Sequence, residues 1–118
     1  GKLLQTEAYN QMHDFCLGHI KKSLAESTAK HIVVVTHHLP TLQAVASQHK
    51  GSVLNSAFAT EYEELIASSR IDAWIYGHSH TNIDTEIGST KVISNQMGYV
   101  FENEHVINGF DPGKFLTI

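Results

Sequence analysis

Two short apolar stretches, residues 32–35 and 71–76, are each followed at once by a pair of histidines. Neutral imidazole is the commonest side-chain ligand for metals such as Zn, Fe, Mn or Ni near neutral pH, often with added oxygen ligands. If the two stretches are neighbouring parallel strands, their carboxyl ends meet at one edge of the sheet, where ligands bind in open α/β folds. The sequence therefore predicts that four histidines share one pocket: His37, His38, His78 and His80.

The spacing of the second pair allows more than one arrangement. In an extended chain, His78 and His80 would point to the same side, because side chains alternate along a strand. They could then hold one metal or bridge toward a second, and Gly77 would let the chain turn tightly at the strand end. Two metals about 4 Å apart can activate a water and clamp a phosphoryl group, a standard route to phosphoester hydrolysis.

The remaining residues that could do chemistry are predicted to be structural. Cys16 falls on the apolar stripe of a helix and is expected to be a small core residue. Trp74 alternates within a buried strand and is expected in the core rather than beneath a substrate. Five further histidines are predicted to lie on helix surfaces or in loops: His13, His19, His31, His49 and His105.

Periodicity predicts the elements that carry these residues. Residues 6–27 have apolar side chains at steps of three and four, which indicates an amphipathic helix. Residues 32–35 and 71–76 are unbroken apolar runs, typical of strands buried on both faces. The predicted stripe of the helix consists of Tyr9, Met12, Cys16, Ile20 and Leu24.

Between the two strands, residues 41–51 are compatible with a helical turn or two. A second helix is better indicated, because Thr60 and Glu63 form a capping box. Leu65 and Ile66 should face inward, and residues 68–70 should end this helix.

The last third changes character. Residues 84–87 and 91–94, joined through a glycine-containing turn, predict a β-hairpin. Residues 106–107 and 115–118 are predicted to be short strands, the latter after a turn at 111–113. The order is thus helix, strand, helix, strand and then an antiparallel β-rich end, an α/β class.

Composition bounds the protein further. A chain of 118 residues with 42% hydrophobic and 17% charged residues is globular and of one-domain size. Its net charge of −4 disfavours a nucleic-acid or anionic-membrane partner. The single cysteine excludes an internal disulfide and leaves the compartment open, with the cytoplasm as the expectation.

Three short motifs follow one another along the chain: VVTHHLP (34–40), GHSH (77–80) and SNQMGY (94–99). Together they resemble the C-terminal half of the calcineurin-like metallophosphoesterase family, which has VxTHHxP and GHxH strand–loops and a closing NxxGY segment. The resemblance covers roughly residues 31 to 99. It implies half of a four-layer α/β/β/α sandwich, two divalent metals (Mn, Fe or Zn), and hydrolysis of a phosphomonoester or phosphodiester by a metal-activated water.

The same resemblance implies roles for individual residues. His37 and His78 correspond to ligands of one metal, and His80 to a ligand of the other. His38 is not a ligand in the family pattern and is expected to line the phosphate side as the catalytic position. Asn95 and Tyr99 are expected to close the loop around the site.

The family's opening motifs, Asp-x-His, Gly-Asp-x-x-Asp and Gly-Asn-His-Asp/Glu, do not occur in this sequence. They supply the metal-binding carboxylates, so the chain is expected to be the C-terminal part of one domain of a longer enzyme. By itself it should be inactive or nearly so, with a partial metal site, and it should cover exposed strand edges by forming a homodimer or swapping an element. The alternatives are a self-contained, non-catalytic metal-binding module and an interaction domain with incidental histidines.

Overall fold

A computed structural model describes residues 6–40 and 62–118. The ambiguous stretch at 41–51 and the Thr60 half of the predicted capping box lie outside the described residues. The chain divides into two compact units, Gly1–Lys30 and His31–Ile118.

The described part of the first unit contains one helix, α1 (Thr6–Glu26), which confirms the predicted helix to within a residue at its end. The predicted stripe is offset, however, because Met12 is 58% exposed and Cys16 is also exposed, whereas Leu17 is buried. The prediction that Cys16 is a core residue is wrong. A stripe that begins at position 13 and advances by steps of three and four also fits a helix. The less exposed side chains of α1 follow this second stripe. None of the described helices is long and apolar enough to cross a membrane.

The described residues of the second unit form a four-stranded sheet, which confirms a mixed α/β class. Its strands are β1 (Val33–Val35), β2 (Ala73–Ile75), β3 (Thr85–Ile87) and β4 (Thr90–Ile93). The order across the sheet is β1-β2-β4-β3. Strand β2 is parallel to both β1 and β4, and β3 is antiparallel to β4.

The two strands that lead into the histidines differ in burial. Ala73 and Trp74 of β2 are completely buried, as predicted, and β2 is an inner strand of the sheet. Val33 and Val35 of β1 are 41% and 70% exposed, so the prediction that this run is buried on both faces is wrong. The physical reason is position: among the described strands, β1 lies at the edge of the sheet and has β2 as its single neighbour.

A second helix, α2, covers residues 62–68, and its end at Ser68 agrees with the prediction. Ile66 is 1% exposed, which confirms that it faces inward. The Tyr62 ring meets Trp74 edge-on, with ring centroids 5.4 Å apart. The core of this unit is apolar and centred on β2 and β4: Ile66, Ile71, Ala73, Trp74, Tyr76 and Val92.

The C-terminal part is less β-rich than expected. The hairpin β3–β4 is confirmed, and Gly88 in its turn has a φ of 59°, which glycine adopts without strain. The predicted strand at 106–107 is wrong, because these residues belong to a short helix, α3 (Glu104–Ile107), after a 3₁₀-helix, Val100–Glu102.

The predicted strand at 115–118 is also wrong, since these residues have no regular secondary structure. An apolar run of two to four residues cannot distinguish a strand from a helical turn or a coil. The turn at 111–113 is confirmed: the Lys114 N–H donates to the Asp111 carbonyl at 3.1 Å, and the Gly113 N–H to the Asp111 side chain at 2.8 Å.

Candidate metal centre

The ends of β1 and β2 place the two histidine loops side by side. Pairing continues beyond the strands, because the Thr36 N–H donates to the Ile75 carbonyl at 2.9 Å and the Gly77 N–H to the His37 carbonyl at 3.0 Å. His37 and His78 therefore leave the same edge of the sheet. The prediction that the two apolar stretches are parallel neighbours and share this edge is confirmed.

Three imidazoles form a compact cluster at this edge. His37, His38 and His78 each offer a ring nitrogen, and these nitrogens all lie within 4.8 Å of one another. The ring centroids are 4.9 Å apart for His37–His38, 5.0 Å for His37–His78 and 4.4 Å for His38–His78. Within residues 6–40 and 62–118, this is the single group of three or more His, Cys, Asp or Glu side chains close enough to hold one ion.

One pair of nitrogens in the cluster has the spacing that two ligands of one transition metal require. His37 Nε2 and His78 Nδ1 are 3.1 Å apart. Metal–nitrogen bonds of about 2.0–2.1 Å put neighbouring ligand atoms about 2.8–3.4 Å apart for angles between octahedral and tetrahedral. His37 and His78 therefore fit a single ion, with His38 close by, but the cluster contains no carboxylate that could bridge two.

The electrostatics of the cluster lower the pKa of two of its rings, His38 and His78. The pKa of His38 is lowered by partial burial and by the neighbouring His78 and His37. The pKa of His78 is lowered by partial burial and by His37 and His80. Crowded imidazoles resist protonation because each added positive charge repels the next. The neutral ring is the form that binds metals, so the arrangement favours metal binding near neutral pH.

His80 lies outside this cluster. Its Nδ1 is 2.9 Å from Oε2 of Glu104, and its ring meets the Tyr99 ring edge-on at 4.5 Å. His78 and His80 have φ angles of 72° and 54°, so the loop is left-handed at both positions and not extended. The expectation that an extended chain points both rings to one side is therefore wrong.

The backbone of His80 is fixed by two amide side chains. Its N–H donates to Gln96 Oε1 at 2.8 Å, and its carbonyl accepts from Asn108 Nδ2 at 3.1 Å. Gln96 also donates to the Ser79 hydroxyl at 3.0 Å. The sequence offered a signal for Gln96, which lies within the closing motif, but none for Asn108 or for Glu104.

The two residues expected to close the loop have different surroundings. Tyr99 is beside His80, in agreement with that expectation. Asn95 instead binds the C-terminal turn: its Nδ2 donates to the Asp111 carbonyl at 2.7 Å, and its Oδ1 accepts the Asp111 N–H at 3.0 Å.

Comparison with known proteins adds little about activity. The chain is 26% identical over 112 residues to "Uncharacterized protein L509" of Acanthamoeba polyphaga mimivirus. The match covers 89% of this chain and 36% of the viral protein, so the chain spans about a third of that relative's length. No family model matches the chain, and no solved structure matches it.

Proposed function

We propose that this chain is the C-terminal half of a four-layer α/β/β/α metallophosphoesterase domain, whose complete form hydrolyses a phosphomonoester or phosphodiester with two divalent metals. The observation that carries the proposal is the parallel pairing of β1 and β2. This pairing brings His37 Nε2 and His78 Nδ1 to 3.1 Å from each other. The motifs at 34–40, 77–80 and 94–99 give the same assignment by resemblance.

In this proposal the four loop histidines have distinct roles. His37 and His78 hold one ion, and the free ring nitrogen of His80 binds the second. His38 lines the phosphate side, where its lowered pKa keeps the ring neutral and able to accept a proton. The ions would polarise the phosphoryl group and generate the attacking hydroxide from water.

The cluster by itself is incomplete for this chemistry. Three neutral imidazoles do not neutralise two dications, and a bridging ligand is an anionic oxygen in such centres. We therefore infer that the missing carboxylates belong to an N-terminal half of the same domain in a longer protein. This chain aligns with 36% of the viral relative, so that relative is long enough to contain such a half.

The test is a chromogenic phosphoester assay with Mn²⁺ on this chain and on the longer protein that contains it. The longer protein should cleave p-nitrophenyl phosphate or bis-p-nitrophenyl phosphate, and the chain alone should not. His78→Ala should abolish activity of the longer protein, whereas His19→Ala, on the exposed side of α1, should not change it. A longer protein inactive toward monoesters, diesters and nucleotide esters would refute the proposal.

A second candidate, a self-contained metal-binding module, is favoured by the participation of His38 in the cluster. The family pattern leaves that residue outside the ligand set, yet its ring is as close to His78 as any ring in the cluster. Calorimetric titration with Zn²⁺ separates the two functions. Tight stoichiometric binding to the chain alone, lost in His38→Ala, would favour the module, whereas weak or absent binding favours the incomplete enzyme.

The proposal also concerns assembly of the isolated chain. Val33 and Val35 expose apolar side chains on β1, whose outer edge has no partner strand among the described residues. Such an edge is a template for pairing with another chain. We therefore infer that the isolated chain forms a homodimer or a swapped assembly, and that in the longer protein the N-terminal half occupies this edge.

A further inference from the structure

Glu104, the first residue of α3, contacts both the side chain of His80 and the backbone of Tyr99. Its Oε2 lies 2.9 Å from His80 Nδ1 and also accepts the backbone N–H of Tyr99. The two side chains of the pair are 33% exposed for His80 and 25% for Glu104, so the contact is partly shielded from water. None of the motifs discussed above includes Glu104.

The chemistry of this contact fixes the position of a proton. An ionised carboxylate can only accept hydrogen bonds, so His80 Nδ1 must carry the hydrogen. A neutral ring with its proton on Nδ1 has its lone pair on Nε2. Free neutral histidine in water prefers the opposite tautomer, with the proton on Nε2. Of the two neutral tautomers of His80, Glu104 therefore selects the one in which Nε2 is available to a metal.

The surroundings of Glu104 leave space for its side chain beside Gly98 and hold the backbone of its partner, His80. Gly98 has a φ of 71°, and a Cβ built there would lie only 2.8 Å from Glu104 Cβ, closer than real side chains approach. The missing side chain of Gly98 thus makes room for Glu104. The backbone of His80 is held at the same time by Gln96 and Asn108, so the ring can turn only about its side-chain bonds.

We propose that Glu104 is a positioning residue for His80, which holds the ring proton on Nδ1 and presents Nε2 as a metal ligand. The part of this statement that concerns the metal rests on the proposed function, whereas the tautomer does not. In carboxylate–histidine–metal arrangements of this kind, removal of the carboxylate typically lowers metal affinity by about 10–100-fold.

The experiment is ¹⁵N NMR of the full chain labelled at the histidine rings, first without metal and then during titration with Zn²⁺. In the wild type, His80 should be in the Nδ1–H tautomer. Glu104→Ala should shift it toward the Nε2–H tautomer, and Glu104→Gln, which keeps a neutral acceptor, should restore part of the original population. Glu102→Ala, at an exposed glutamate of the neighbouring 3₁₀-helix, is the matched control and should leave His80 unchanged.

Zn²⁺ should then shift the Nε2 resonance of His80 in the wild type, and Glu104→Ala should weaken that response by about 10–100-fold. An Nε2–H tautomer in the wild type, or an unchanged tautomer in both Glu104 variants, would overturn the inference. A Zn²⁺ titration that moves the ring signals of His37 and His78 but never that of His80 would overturn the metal-ligand part of the inference and leave the tautomer assignment standing. A merely structural role for Glu104 would lower stability without moving the tautomer.

These results separate the inference from the proposed function. If the tautomer and the Zn²⁺ response behave as expected but the longer protein cleaves no phosphoester, the positioning role stands and the enzymatic proposal fails. If the longer protein is active and Glu104→Ala leaves the His80 tautomer unchanged, the enzymatic proposal stands and the positioning role fails.

Discussion

The indole N–H of Trp74, in the middle of β2, donates a hydrogen bond to the hydroxyl oxygen of Thr36, 2.9 Å away. The Thr36 hydroxyl donates in turn to the carbonyl of His38 at 2.8 Å. A completely buried core side chain thereby fixes the turn that carries His37 and His38.

Thr36→Val should destabilise the protein. The substitution keeps the shape of the side chain but leaves the buried Trp74 N–H without an acceptor, a loss of about 1–3 kcal/mol. Thr36→Ser retains the hydroxyl and should lose less than about 1 kcal/mol. Urea unfolding followed by Trp fluorescence measures both, and equal midpoints for the two variants would contradict the role of this hydrogen bond.

Asp72 should make stability depend on pH in the acid range. Its Oδ2 accepts the Ile32 N–H at 2.7 Å, and this hydrogen bond lowers the pKa of the carboxyl, with a further contribution from His31. Because the folded-state pKa is lower, the unfolded chain binds more protons, and the stabilisation present at neutral pH is lost as pH falls below about 4.

Asp72→Asn should therefore lower the urea midpoint at pH 7 and flatten its dependence on pH below about 4. The matched control is Glu86→Gln at an exposed position on β3, which should leave both quantities close to wild type. The interpretation fails if the urea midpoint of Asp72→Asn depends on pH as steeply as that of the wild type.

Gly98→Ala should be destabilising and should displace Glu104. A left-handed backbone at a non-glycine residue costs about 1–2 kcal/mol, and the new Cβ would overlap the Glu104 side chain. Gly18→Ala is the matched control, since it lies inside α1 with open space around the new Cβ and should stabilise the helix by about 0.5–1 kcal/mol. Urea unfolding compares the two, and a neutral Gly98→Ala would refute the close approach.

The histidine cluster should bind Zn²⁺ weakly in the isolated chain. His37→Ala and His78→Ala should each weaken binding at least about tenfold, because metal ligands act together. Binding should fall as pH is lowered, since protons compete for the rings. The lowered pKa values of His38 and His78 should move this loss below the ordinary histidine range near 6.5.

Isothermal titration calorimetry with Zn²⁺ at a series of pH values measures these effects. His19→Ala serves as the control for losing a histidine elsewhere. Unchanged affinity in the His37 and His78 variants would show that the metal binds at another site.

Self-association of the isolated chain should depend on the edge of β1. Val35→Lys adds a charge to the exposed edge strand and should shift the chain toward monomer. Val106→Lys, at a 71% exposed position in α3 outside the sheet, should not. Sedimentation velocity at several concentrations measures the distribution, and a wild-type chain that stays monomeric at high concentration would contradict this prediction.

The sequence by itself determined the elements with strong local signals. Helical periodicity defined α1, the apolar runs defined β1 and β2, and the turn at Gly88 defined the hairpin. The histidines after the two strands also predicted the shared edge, because parallel strands end on the same side of a sheet. The proximity of His37 and His78 was therefore foreseeable.

Tertiary structure decided the rest. Whether Val33 and Val35 are buried depends on the position of β1 in the sheet and on what packs against its faces, and a three-residue strand carries no record of either. The separation of His80 from the cluster accompanies left-handed φ angles at His78 and His80. The His80 backbone donates a hydrogen bond to Gln96 and accepts one from Asn108, which hold it in place. The contact between Glu104 and His80 joins residues 24 positions apart, a distance over which local propensity has no influence.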